Sequence, residues 1–384
     1  MKRLPGFCLL CALLCILITA SAREQGVREP YGPTCGTWDL VFSPNPNGGP
    51  IFSAVTAVPG TVELWAVGNY LFNYSLTLTE HWDGTTWEIV ASPNIPSANH
   101  YVYGVSAIAP NDVWAVGRYE PQGGGSRTLV LHWDGTSWSI VPSPNPATYN
   151  GLYAVAAVSA SDVWAVGYYY SKSAQQTLIE HWDGTSWTIV PSPNVGARDN
   201  LLRAVSAVPN SQTAWATGYY YRTTDGLPST LIQRWDGATW SVVASPDGSG
   251  QGSNLLFGVS SAGPKDAWAV GTYQVKNTVF LPLTEHWDGT TWQIVPSPSL
   301  SSSYTELNSV FVLSATDVWA VGSYFNDVAA QLTLAQHWDG TSWQVFAPQI
   351  RREPTAMKPL MFSPRSRTSR PWVCGQWDTI SGSA

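Results

Sequence analysis

A frame of about fifty residues recurs along this chain and leaves few folds open to it. Residues 112–144 read DVWAVGRYEPQGGGSRTLVLHWDGTSWSIVPSP, and 162–193 read DVWAVGYYYSKSAQQTLIEHWDGTSWTIVPSP. The first Trp of the frame falls at Trp65, Trp114, Trp164, Trp215, Trp268 and Trp319, at spacings of 49 to 53 residues. Each copy reads as four short strands: a small apolar one, a DVWAVG-type one, a TLIEHW-type one and a TSWTIVPSP-type one. Asp-Gly stands between the third and fourth, a hairpin signal because both residues tolerate positive φ. Pro-Ser-Pro ends the fourth strand and places it at a sheet edge, since proline cannot donate to a ladder. Four-stranded antiparallel units at this period fit the blades of a β-propeller, with the first strand innermost.

The expected fold is therefore all-β: a single β-propeller of four-stranded antiparallel blades. Fragments at the two ends extend the frame. Trp38 to Asn45 resembles the outer strand Trp138 to Asn145, and Pro371 to Trp377 resembles Val318 to Tyr324. Six full repeats (51–348) plus one split closing blade, whose outer strand is 38–45, predict seven blades; the count is six if the tail takes no part. Residues 38–350 form the propeller and 23–37 lead into it. The tail 351–384 is basic and holds a degenerate half repeat.

In these repeats a Trp-bearing strand ends in Gly (Trp164 to Gly167), a Trp-Asp pair closes the third strand (Trp182-Asp183), and a Trp opens the outer one (Trp187). That order resembles the kelch-like propellers, whose superfamily includes the central domain of galactose oxidase. The kelch Gly-Gly doublet is replaced here by Gly-x-Tyr, as at Gly167-Tyr168-Tyr169. The tryptophan-rich repeat proteins exported by some bacteria are a nearer resemblance. Kelch-like folds host both enzymes and binding modules, so the resemblance implies a fold and no single activity.

Composition narrows the function classes. Only 12% of residues are charged, the formal net charge is −7, and basic residues are scattered through the body, which excludes a nucleic-acid footprint. The N-terminus reads as a secretory signal peptide over residues 1–22: Lys2 and Arg3, an apolar run from Phe7 to Ile18, and an Ala20-Ser21-Ala22 cleavage site. The run is shorter than the ~20 residues a membrane span needs. The expected product is a secreted, extracellular monomer with no membrane span. Cys35 and Cys374 remain in the mature chain; they are a disulfide candidate if the split blade closes, or two buried free thiols.

The histidines His81, His132, His181, His286 and His337 each precede Trp-Asp-Gly in a different repeat. Spread around a ring, they cannot converge on a metal, so no metal ligand is assigned, and no cofactor motif is present. No nucleophile elbow or phosphate loop appears either, and no catalytic residue is assigned. Function is sought where repeats differ. The links between strands two and three and between blades vary, with Tyr-rich stretches such as Tyr168 to Tyr170 and Tyr219 to Tyr221. At the entry to the innermost strand one position is strongly variable: Ser53, Tyr103, Tyr153, Arg203, Phe257 and Asn308. These side chains are expected to ring the channel mouth and to bind a ligand there, a carbohydrate, a cell-surface polymer or an extracellular protein. The competing reading is a secreted glycan-active hydrolase or lyase using Arg203, Asp199 and Asp225. Paired carboxylates at the mouth favour the enzyme, and a ring of Tyr and Asn without them favours binding.

Overall fold

A computed structural model describes residues 41–346, apart from positions 47, 172, 210, 250, 277–278, 302 and 327–329. It holds six sheets, each of four consecutive strands paired antiparallel in chain order. In blade 3 the strands are Asn150–Ser159, Asp162–Ser171, Ala174–Trp182 and Trp187–Ile189. The other blades begin at Ile51, Ala98, Asn200, Asn254 and Thr305. No helix among the described residues is long and apolar enough to cross a membrane. The fold is the expected β-propeller, and six blades are described. Residues 41–46, the described part of the N-terminal fragment, form no strand. The signal-peptide segment, Cys35, Cys374 and the tail 351–384 lie outside the described residues.

The tryptophans pack across blade boundaries. Trp114 of blade 2 meets Trp182 and Trp187 of blade 3 at 5.1 and 5.4 Å, the latter edge-on. Trp65 meets Trp133 and Trp138 in the same way, as do Trp164, Trp215 and Trp268 with the next blade's pair. Val, Leu and Ala of the second and third strands surround each triad, so every consecutive pair of blades shares one apolar cluster. Blade 1 has its own small cluster of Leu64, Ala66 and Trp87 on the side away from blade 2. Among the described residues no cluster joins it to blade 6. Inner-strand side chains flanking that junction are exposed: Ile51 at 44%, Phe311 at 47% and Leu313 at 39%.

The Asp-Gly segments turn hairpins between strands three and four, as expected, but aspartate does not use its tolerance of positive φ. Each is a four-residue loop in which only glycine takes positive φ, as at Gly184 (95°). Aspartate acts as an acceptor instead: Asp183 Oδ1 receives the backbone N–H of Thr185 and Ser186 at 2.8 and 2.9 Å and the Thr185 hydroxyl at 2.6 Å. These bonds hold its carboxyl at a pKa of about 2. The Tyr runs also depart from expectation. Tyr168 to Tyr170 and Tyr219 to Tyr221 are the ends of second strands, so the intervening loops are short.

Candidate functional site

The six variable positions share a backbone cause. In every blade the register between the first and second strands slips by one residue near the start of the inner strand. The unpaired residue is Ser53, Tyr103, Tyr153, Arg203, Phe257 or Asn308 in turn. A bulge of this kind re-aims a side chain out of the ladder. Opposite each bulge stands the Gly that ends the DVWAVG-type stretch, because the bulged strand's carbonyl leaves no room for a Cβ. At Gly167 a Cβ would lie 2.0 Å from the Gly151 carbonyl oxygen, and at Gly117 it would lie 1.8 Å from that of Tyr101.

The bulged residues converge. All six line one cavity of about 310 Å³ around the central channel, with Ala, Gly and Val of the inner strands as its walls. This lies at the small end of ligand-pocket sizes. No Asp, Glu or His is among the lining residues. Tyr103 and Tyr153 pack with ring centroids 5.4 Å apart, and Tyr153 stacks on Tyr168 at 5.5 Å. The Arg203 guanidinium lies over the Tyr153 ring, 4.2 Å from its centroid. Burial raises the phenol pKa of both Tyr103 and Tyr153, so they stay neutral donors. Ser53 and Asn308 are exposed, since they flank the junction between blades 6 and 1.

A supporting layer escaped the sequence reading. Arg118 Nη1 donates to the Tyr168 hydroxyl at 2.9 Å, lies 5.3 Å from the Tyr101 ring centroid, and pairs with Glu120 at 3.0 Å. Tyr101 in turn stacks on Tyr103 at 6.3 Å. The available signal was position: Arg118 and Tyr168 each follow the bulge-opposing Gly. A second, more open recess of about 400 Å³ lies on the outer side of Arg118, bounded by Tyr74, Gln122 and Tyr149.

The residues of the catalytic reading do not meet. Arg203 lines the cavity, whereas Asp199 and Asp225 do not. Asp199 Oδ1 accepts the Gln175 N–H at 2.8 Å, and Asp225 pairs with Arg222 at 2.9 Å. The frame histidines sit at the opposite end of the blades. His132, His181, His286 and His337 bond the Asp that opens their own blade's second strand at 2.8–2.9 Å, and His81 bonds Glu63 at 3.3 Å. Each of the five also lies against that strand's Trp, as His132 does on Trp114 at 4.2 Å. His100, the one histidine outside the Trp-Asp-Gly frame, takes the place that Asn150, Asn200 and Asn254 hold in other blades. Its Nε2 accepts the Ile95 N–H at 2.9 Å, and burial lowers its pKa.

No protein-family model matches the chain, and neither does any curated protein. Solved propellers are similar in fold. YCF48 bound to a D1 peptide shares 16% identity at a TM-score of 0.48, over 79% of this chain and 85% of that one. A polysaccharide lyase, ulvan lyase, shares 9% at 0.48, over 73% and 80%. The fucose-specific lectin from Aleuria aurantia shares 13% at 0.44, over 76% and 92%. Likeness at this distance is one of fold alone.

Proposed function

We propose that this protein is a non-catalytic binding propeller that recognises a carbohydrate at its channel mouth, and that it works outside the cell. One observation carries the reading: the residues that break the repeat are the bulged ones, and they converge on a single cavity with Tyr103, Tyr153 and Phe257 and no carboxylate among its lining. Aromatic rings offer flat apolar faces for a sugar ring, and Tyr hydroxyls, Asn308 and Arg203 offer hydrogen bonds to its hydroxyls. Glycoside hydrolysis uses two carboxylates flanking the scissile bond, and none lines this cavity. The export signal at residues 1–22 supports an extracellular site of action, and the order of Trp, Gly and Trp-Asp supports kinship with kelch-like propellers.

Polysaccharide-array binding of the purified mature protein tests the proposal. Binding to at least one polymer is expected, weakened roughly tenfold or more in Tyr103→Ala and Tyr153→Ala, since a buried aromatic anchor carries a large share of binding energy. No binding above background to any polysaccharide would sink it.

A further inference from the structure

The electrostatics of this cavity define its ligand further, on the premise that the cavity binds carbohydrate. Besides Arg203, four arginines among the described residues lie at this end of the propeller and none lines the cavity: Arg127 donates to the Ala147 carbonyl at 2.9 Å and Arg198 is exposed. Arg118 and Arg222 are neutralised on the spot: Arg118 by Glu120 at 3.0 Å, and Arg222 by Asp225 at 2.9 Å and Asp247 at 3.5 Å. Arg203 has no carboxylate partner and no hydrogen bond among the described residues; its one contact of note is the Tyr153 ring face. It is half-buried and faces a recess whose walls are apolar. Partly desolvating a guanidinium is costly, and a ring face offsets only part of that cost. A fork of N–H donors left unfilled beside aromatic rings is chemically complementary to a planar or tetrahedral anion.

The acidic residues at this end are already engaged: Glu120, Asp225 and Asp247 by the arginines above, Asp199 by the Gln175 N–H, and Glu306 by Tyr304, Asn308 and Ser323. The six hairpin aspartates, such as Asp183, and the histidine-paired ones, such as Asp162, lie at the other end of the second and third strands. Seven or eight residues of strand span about 25 Å, well beyond the ~8 Å over which exposed charges are felt at physiological salt. The protein is therefore acidic as a whole and yet presents an unpaired cation at its mouth.

We propose that the channel mouth is a subsite for an acidic polysaccharide, with the anionic group of one sugar on the Arg203 guanidinium and its ring on Tyr103 and Tyr153. Carboxylate of a uronic acid and sulfate of a sulfated sugar share this chemistry. Three probes separate the outcomes for the full mature chain: polygalacturonate, dextran sulfate and neutral dextran, each measured by calorimetry at low and high salt. Binding to one or both acidic polymers, weak or absent binding to dextran, and a loss of tenfold or more in Arg203→Gln are expected. Arg222→Gln, which removes an already neutralised arginine, should leave binding unchanged. Preference for polygalacturonate assigns carboxylate, and preference for dextran sulfate assigns sulfate. Equal binding of dextran with no effect of Arg203→Gln overturns the anionic subsite and leaves a sugar-binding mouth standing. Acidic-polymer binding untouched by Arg203→Gln also overturns it. Failure of every array polymer and all three probes removes both readings.

Discussion

Glu80, Glu180 and Glu285 occupy the same third-strand position and are fully buried. Burial raises the carboxyl of Glu80 to about 7 and that of Glu180 to about 8, and pushes that of Glu285 up strongly. In blades 4 and 6 the position holds Gln233 and Gln336, whose Nε2 groups donate to the Pro193 and Pro298 carbonyls at 2.8 and 2.7 Å. A protonated Glu is the near equivalent of that Gln. Because the folded pKa lies above the unfolded one, the stabilising effect is complete below about pH 4.5 and is lost as pH rises through 7 to 8. Thermal melting of Glu180→Gln should show a Tm about 5 °C above the parent at pH 9 and close to it at pH 4.5. A constant difference at both pH values would refute the argument. The carboxyls were visible in the sequence beside the histidines, but their burial was not, because an alternating strand pattern does not say which face meets a neighbouring blade.

At the scale of the element, the blade is set by two backbone devices. One is the bulge with its opposing Gly. Gly167→Ala would push a methyl into the Gly151 carbonyl, 2.0 Å from the added Cβ, and should cost about 3 kcal/mol, the upper end for overpacking. Gly263→Ala, where nothing lies within 4 Å of the added Cβ, is the control and should be nearly neutral. Urea denaturation reads both, and equal midpoints would remove the bulge from the account. The other device is the edge. Pro-Ser-Pro-Asn cannot continue the ladder through its prolines, so side chains continue it. Thr128 N–H donates to Asn145 Oδ1 at 2.9 Å and Ser143 Oγ donates to Thr128 Oγ1 at 2.7 Å. Thr177 repeats the pattern with Asn194 and Ser192. The sequence marked this strand as an edge through its prolines. The bulge left a trace as well, in the pairing of an invariable Gly with a freely varying residue, but its register is a property of the paired strands.

Across the whole molecule, five blade junctions each hold a Trp triad, while Trp82 and Trp87 of blade 1 pair with each other at 5.7 Å. Trp319 of blade 6 packs on His337 and Phe346 at 4.4 and 5.4 Å. Both groups face the junction at which, among the described residues, no cluster is shared. Three tryptophans of the 21 lie outside the six repeats, Trp38, Trp372 and Trp377. The Ser43 hydroxyl beside Glu80 stands where Ser143 stands beside Glu180 and Ser245 beside Glu285, which puts residue 43 in the place of the segment that follows a preceding blade's outer strand. Completion of this junction by the chain's own ends is the proposal that these facts support. Deleting residues 351–384 should then lower Tm by several degrees. An unchanged Tm with a monomeric elution volume would defeat it.

By itself the amino-acid sequence determined the period, the four-strand unit, the propeller and the set of positions at which function is sought, because repeats are local patterns written once per blade. It did not determine that these positions are bulged, that Arg203 is unpaired while Arg222 is not, or that His100 stands in for an asparagine. Those depend on which side chains from different blades meet, and residues some fifty positions apart meet only once the blades are set around the channel.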